Sequence, residues 1–308
     1  MIWVFPSVGT PEQCVIRGRA FRAEPGQGSS VLSRNVRSLA GAQEWPGAAG
    51  TVAFLGRSAG FTADDEGFFA AAFAADGDPF PLGPHEARAT LAEVAADEAR
   101  GAVHVTSADG LSVISDFDDT LAETHVTQRR RMVTTALFKD GSTHPAVAGM
   151  ACLYRAIARR TGAAFHYLSG SPIGFLPRIL RFLEVHACPP GAVRLRHWQT
   201  EPMDPIAFKR PLMEEIAQAL PGHGLVLFGD TGEKDPEVFA EVRATHGARV
   251  RRTFLRNVGD EPADAPRLRE SFVFERASQA ASEAGRLGLL DPADVLEVAR
   301  AEAGLETR

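Results

Sequence analysis

The sequence has little cysteine, no long apolar run and no excess of positive charge. Its 308 residues include 3 cysteines, too sparse and too widely spaced for a disulfide framework or a zinc pattern. The net charge of −6 argues against a nucleic-acid partner, which needs a clustered basic surface. No apolar stretch approaches the roughly 20 residues that span a bilayer, and the first residues lack the basic and apolar regions of a secretory signal. We therefore expect a cytoplasmic protein with no transmembrane segment.

The length suits two domains, and the sequence pattern changes near residue 109. Short strand-like runs bounded by glycine and proline, such as 14–21 and 50–55, predict a β-rich N-terminal domain over 1–108. A polar, glycine-containing turn within 61–69 predicts a hairpin. Because that turn resembles the turn of transthyretin-like β-sandwich modules, we expect this domain to be sandwich-like.

From Leu111 onward, apolar runs alternate with helical patterns. This alternation predicts a parallel sheet with right-handed crossovers, that is, a doubly wound α/β domain over 109–308 that closes with C-terminal helices. Three helix starts are marked by a capping residue before a proline, at Ser171-Pro172, Asp204-Pro205 and Asp235-Pro236. Ligands of such sheets bind at the carboxyl ends of the strands.

The first of these apolar runs ends in an unusual group of acids. It leads through Val113-Ile114-Ser115 into Asp116-Phe117-Asp118-Asp119-Thr120. Buried carboxylates repel one another and are costly to desolvate unless they are paired or bound to a metal. The pattern therefore predicts a site for a hard cation such as Mg²⁺, with one carboxylate free to attack an electrophile.

Three further motifs follow in a fixed order. They are a run ending in Tyr167-Leu168-Ser169-Gly170-Ser171, then Lys209 in a helical pattern, then a run ending in Gly229-Asp230-Thr231-Gly232-Glu233-Lys234-Asp235. This order resembles the four motifs of the haloacid-dehalogenase-like phosphotransferases. Over roughly residues 110–256, the motifs resemble the catalytic domain of the actin-patch-associated phosphatidate phosphatase family. The opening residues 4–11 also resemble bacterial members of that family.

Each motif has a role in phosphoryl transfer under this interpretation. Asp116 is the expected nucleophile that forms an aspartyl-phosphate, and Asp118 is the expected general acid and base. The hydroxyl of Ser169 and the amide of Gly170 are expected to bind the phosphoryl oxygens. We expect Lys209 to neutralise both the nucleophile and the transferring phosphate.

Four residues are expected to hold Mg²⁺: Asp116 and Asp230 by their carboxylates, Asp235 chiefly through a metal-bound water, and Asp118 by its backbone carbonyl, as the resemblance implies. Asp235 also suits an N-cap before Pro236. Alternatives remain open at Ser171, which competes with Ser169, at Asp119, and at Lys234, which competes with Lys209.

The expected activity is Mg²⁺-dependent hydrolysis of a phosphomonoester. Phosphatidate, at a membrane surface, is the substrate that the family resemblance implies. The basic run Arg129-Arg130-Arg131 is a candidate contact for an anionic head group. The alternatives are a soluble or nucleic-acid-terminal phosphomonoester, or a catalytically silent binding protein on the same fold.

Overall fold

The computed structural model describes residues 1–22, 43–94, 98–124, 145–197, 200–259 and 261–305. The chain forms two compact units. Met1–Ala108 with Pro190–Val193 make one unit, and Asp109–Pro189 with Arg194–Arg308 make the other.

The described part of the first unit is built from β-strands. They are β1 (Ile2–Val4), β2 (Ser7–Gly9), β3 (Gln13–Arg22), β4 (Gln43–Glu44), β5 (Ala49–Phe54), β6 (Arg57–Thr62), β7 (Phe68–Ala74), β8 (Gly83–Leu91) and β9 (Glu98–Val105). In one sheet, β3 pairs antiparallel with β1, β4 and β7. The other sheet has the order β2-β9-β8-β5-β6, in which β2 and β9 are parallel and the other neighbours antiparallel.

The predicted hairpin within 61–69 is wrong. The turn is present, but β6 pairs with β5 in the five-stranded sheet, whereas β7 pairs with β3 in the other. Phe61 of β6 and Phe69 of β7 are both buried, and their rings stack with centroids 3.9 Å apart. The turn therefore joins one sheet to the other. The apolar side chains on either side of it pack against each other in the core, and the two strands do not pair within a single sheet.

The remaining strands of the described chain form a six-stranded sheet. Its strands are β10 (Asp109–Asp116), β11 (Ala164–Pro172), β12 (Gly191–Arg196), β13 (Gly222–Asp230), β14 (Val250–Arg256) and β15 (Phe272–Phe274). The strand order is β12-β11-β10-β13-β14-β15, and the pairs β10–β11, β10–β13, β13–β14 and β14–β15 are parallel. The predicted α/β class with a parallel sheet is confirmed.

The centre of this sheet is where the strand order reverses. β11 and β12 lie on one side of β10, whereas β13 to β15 lie on the other. Val113 and Ile114 of β10 are fully buried, as expected for a central strand covered on both faces. Open parallel sheets bind ligands at such a reversal, beyond the carboxyl ends of the strands. β10 ends at Asp116 and β13 ends at Asp230 at this edge.

Helices connect and flank these strands. Those described are α1 (Met150–Thr161), α2 (Leu176–Val185), α3 (Pro205–Ala219), α4 (Asp235–His246), α5 (Ala277–Arg286) and α6 (Pro292–Glu302), with short 3₁₀ segments at Ile173–Phe175, Gly247–Arg249 and Pro266–Leu268. In the described parts of the chain, no helix is both long and apolar enough to cross a membrane.

One of the three predicted helix starts is confirmed in full. Asp204 caps α3 by accepting a hydrogen bond from the amide of Ala207 at 3.0 Å, with Pro205 as the first helical residue. The prediction at Ser171-Pro172 is wrong, because β11 continues through Pro172. The capping role of Asp235 is also wrong. Although α4 begins there, the Asp235 carboxylate makes no capping hydrogen bond. It instead accepts hydrogen bonds from the ammonium of Lys209 and the amide of Asp230.

Candidate active site

Three buried carboxylates meet at the carboxyl edge of the parallel sheet. They belong to Asp116 at the end of β10, Asp230 at the end of β13 and Asp235 at the start of α4, and each offers an oxygen within 4.8 Å of the others. β10 and β13 are neighbours paired from Asp109↔Gly222 to Ser115↔Phe228, so their last residues lie side by side. The sheet register therefore brings Asp116 and Asp230 together, although they are far apart in sequence.

Lys209 provides a buried positive charge for this cluster. Its ammonium lies 2.6 Å from Oδ1 of Asp116 and 2.5 Å from Oδ1 of Asp235, and its side chain is 1% exposed. Burial by itself lowers the pKa of Lys209, yet the charges of Asp116 and Asp235 raise it well above its ordinary value. The lysine is therefore held as an ammonium, and it is not the solvated helix lysine that its isolated position in the sequence would suggest.

One ammonium does not balance three carboxylates. Burial raises the pKa of Asp116 and of Asp230 well above the ordinary value, and the charge of Asp235 adds to both shifts. Oδ2 of Asp116 and Oδ2 of Asp230 are buried and accept no hydrogen bond from the described protein atoms. Oxygen ligands with excess negative charge and open lone pairs are what a hard divalent cation requires. The cluster is thus compatible with a metal site.

The backbone around Asp230 is shaped to fit Asp235. Oδ1 of Asp230 accepts hydrogen bonds from the amides of Gly232 at 2.5 Å and Glu233 at 3.2 Å, while Oδ2 of Asp235 accepts from the amide of Asp230 at 3.2 Å. A Cβ atom at Gly229 would lie 2.5 Å from Oδ2 of Asp235. Glycine is therefore required there so that the carboxylate can approach the strand end.

Asp118 lies beside Ser169 and Ser171. Oδ2 of Asp118 accepts a hydrogen bond from the hydroxyl of Ser169 at 2.6 Å and another from the hydroxyl of Ser171 at 3.3 Å. Burial raises the pKa of Asp118, although the two serine hydroxyls oppose this shift. Gly170 lies between these serines and is half-buried.

Two of the residues left open by the sequence, Asp119 and Lys234, make contacts other than those of the three clustered carboxylates. Asp119 adopts a left-handed φ of 54°, and its Oδ1 accepts a hydrogen bond from the amide of Thr124 at 2.9 Å, so it stabilises the turn after β10. Lys234 is 49% exposed and lies 3.7 Å from Glu237. Arg129, Arg130 and Arg131 lie outside the described residues.

Two charged residues to which the sequence analysis assigns no role lie close to the site. The carboxylate of Glu233 is 3.9 Å from the ammonium of Lys209, and burial raises its pKa. Arg196 ends β12 and is buried, with its guanidinium 3.5 Å from the position that a Cβ at Gly170 would take. The position of Arg196 at the carboxyl end of a strand is the signal that could have identified it.

The match to a known family covers the segment that holds this site. Residues 111–257 match the family described as phosphatidate phosphatase APP1, catalytic domain. The resemblance stated from the sequence motifs is therefore confirmed for this segment.

Two curated relatives are each similar over about half of the chain. An uncharacterized protein of Schizosaccharomyces pombe is 29% identical over 161 residues, which is 51% of this chain and 26% of that protein. Phosphatidate phosphatase APP1 of Saccharomyces cerevisiae is 25% identical over 174 residues, which is 54% of this chain and 29% of that protein. The matched region thus spans little more than a quarter of either relative.

Among solved structures, similarity is distant. A chain from the structure of the Pnkp1/Rnl/Hen1 complex is similar with a TM-score of 0.32 and 19% identity, covering 50% of this chain and 48% of the other. A likeness at this level does not identify the fold.

Replacing Lys209 by Met should destabilise the protein strongly. Removing one partner of a buried ion pair leaves uncompensated charge, which costs about 3–5 kcal/mol of the free energy of unfolding. Burial raises the pKa of the Asp116 and Asp230 carboxylates, and the charge of Lys209 opposes that rise. Without the ammonium the folded variant should therefore bind more protons than the folded wild type, so its deficit in the free energy of unfolding should shrink as the pH falls. Urea denaturation at several pH values measures both effects.

The matched control is Lys234→Met, in the neighbouring loop. Since Lys234 is half-exposed, its loss should change the free energy of unfolding by no more than about 0.5 kcal/mol. Equal losses from the two lysines, or a Lys209 deficit that does not vary with pH, would contradict the charge balance described above.

Proposed function

Residues 111–257 match the family described as phosphatidate phosphatase APP1, catalytic domain. On this basis, we propose that this protein is a Mg²⁺-dependent phosphatase that hydrolyses phosphomonoesters through an aspartyl-phosphate. The observation that carries the proposal is the state of the Asp116 carboxylate. One of its oxygens is held by Lys209, and the other is buried and accepts no hydrogen bond from the described residues. Such an oxygen keeps its lone pairs for a cation or for phosphorus.

Asp116 attacks phosphorus, forming a bond between its carboxylate oxygen and phosphorus while the bond from phosphorus to the alcohol oxygen breaks. The carboxylic acid of Asp118 gives its proton to the departing oxygen. Asp118 then takes a proton from water as that water attacks the aspartyl-phosphate. Inorganic phosphate leaves, and Asp116 regains its carboxylate.

Lys209, Ser169 and Gly170 hold the phosphoryl group that is transferred. The ammonium lies between Asp116 and Asp235, where it can neutralise the charge of the nucleophilic carboxylate and offset the charge of the phosphoryl oxygens. The hydroxyl of Ser169 and the amide of Gly170 lie at the same edge of the sheet and donate to those oxygens.

The carboxylates of Asp116 and Asp230 and the backbone carbonyl of Asp118 are the groups that would hold Mg²⁺, with Asp235 contributing chiefly through a metal-bound water. When bound, the ion would neutralise charge on the transferring phosphoryl group. The open oxygens of Asp116 and Asp230 support this assignment.

Phosphatidate is the proposed substrate, on the strength of the family alone, and it would be met at a membrane surface by a cytoplasmic protein. We take residues 109–308 as the catalytic domain, with a doubly wound haloacid-dehalogenase-like fold, and 1–108 as a separate scaffold or binding domain. A soluble or nucleic-acid-terminal phosphomonoester is the alternative substrate. A silent binding protein is disfavoured because Asp116, Asp118 and Lys209 are all present and clustered with Ser169 and Asp230.

Asp116→Asn should abolish phosphate release and leave the fold intact, because an amide cannot form an acyl-phosphate. Asp118→Asn should slow hydrolysis of an alkyl phosphate by about 10²–10⁴. The measurement is inorganic phosphate released from phosphatidate in detergent micelles and from a soluble alkyl phosphate. Near-normal turnover by Asp116→Asn contradicts the mechanism, and wild-type activity on the soluble ester alone favours the alternative substrate.

Chelation should abolish turnover, and Mg²⁺ or Mn²⁺ should restore it. Ca²⁺ should substitute poorly, since it prefers more ligands at longer distances and would disturb the in-line geometry of transfer. Phosphate release after exhaustive chelation and re-addition of each ion provides the test. Full activity in excess chelator would rule out the metal assignment.

A further inference from the structure

Ser169 and Ser171 lie on the same side of β11. Because β11 continues through Pro172 and side chains alternate along a strand, residues 169 and 171 project together while 170 faces the other way. The hydrogen bonds agree with this pattern. Both hydroxyls donate to Oδ2 of Asp118, whereas the added Cβ at Gly170 would point toward Arg196.

The proposed mechanism makes competing demands on Ser169. Its hydroxyl has one hydrogen, which points to Asp118 at 2.6 Å while its oxygen accepts from the amide of Ser171 at 3.0 Å. If that hydrogen turns to a phosphoryl oxygen, Asp118 loses the shorter of these two hydrogen bonds. Ser171 is then the remaining hydroxyl that the described structure places within hydrogen-bonding distance of that carboxyl group.

We propose that Ser171 is a positioning residue that holds the carboxyl group of Asp118 while Ser169 binds the phosphoryl group. The inference rests on the proposed function and gives a role to the serine that the family pattern leaves aside. With Oδ2 engaged by Ser171, Oδ1 of Asp118 carries the proton that goes to the leaving alcohol oxygen. A general acid must lie within about 2.6–3.2 Å of that oxygen, so a carboxyl group free to rotate would transfer its proton less often.

The dependence of rate on the leaving group separates this role from a structural one. An alkyl alcohol needs its proton as the bond to phosphorus breaks, whereas a nitrophenolate leaves with little help. Ser171→Ala should therefore lower kcat/KM about tenfold for an alkyl phosphate and less than about threefold for 4-nitrophenyl phosphate. Because kcat/KM reports the steps up to phosphoryl transfer, slow hydrolysis of the aspartyl-phosphate does not affect the comparison.

Three variants serve as references, each with its melting temperature measured. Asp118→Asn should show the same leaving-group pattern with larger losses, Ser169→Ala should lose activity on both esters alike, and Ser171→Thr should restore the alkyl phosphate rate because it keeps a hydroxyl. Equal loss on both esters in Ser171→Ala, or no loss on either, would overturn the inference and leave the proposed function standing. A wild-type protein that cleaves neither ester with Mg²⁺ would overturn the proposed function, and the role of Ser171 with it.

Discussion

The structure of the site depends on the ion pairs that Lys209 makes with Asp116 and Asp235. A fully buried ammonium is tolerated only with close partners, and the three buried carboxylates are tolerated together only because that ammonium lies among them. The balance is incomplete, since one positive charge faces three acids. The proposed binding of a cation and the proposed nucleophilic attack both rest on the remaining negative charge and on the two open oxygens, of Asp116 and Asp230.

The fold provides this arrangement through strand pairing, one glycine and one helix cap. Parallel pairing of β10 with β13 places Asp116 beside Asp230, and the absence of a side chain at Gly229 lets Asp235 approach the end of β13. The Asp204 cap fixes the start of α3. Lys209 lies in the first turns of that helix, among its buried residues. The site is thus assembled from the ends of strands and the beginnings of helices, where backbone amides and carboxylates are both available.

Much of this arrangement could be predicted from the sequence, and the failures have a common cause. Apolar runs that end in acids at Asp116 and Asp230 predict carboxylates at one edge of a parallel sheet, because strand ends of such a sheet coincide.

Local signals failed where a tertiary contact competes with them. Asp235 has the sequence of a helix cap, yet its carboxylate binds Lys209 and the amide of Asp230 instead. Ser171 precedes a proline as a cap would, yet β11 continues and directs its hydroxyl to Asp118. The turn within 61–69 has hairpin composition, but nothing local says whether its two strands share a sheet.

The most direct test of the account is a search for the covalent intermediate. The wild-type protein would be mixed with Mg²⁺ and a phosphomonoester, quenched in acid within the first turnovers, digested and analysed by mass spectrometry. The account predicts a phosphoryl group on the Asp116 carboxylate that is lost on treatment with hydroxylamine. Product release without phosphorylation of Asp116, or with phosphorylation of a different residue, would contradict it.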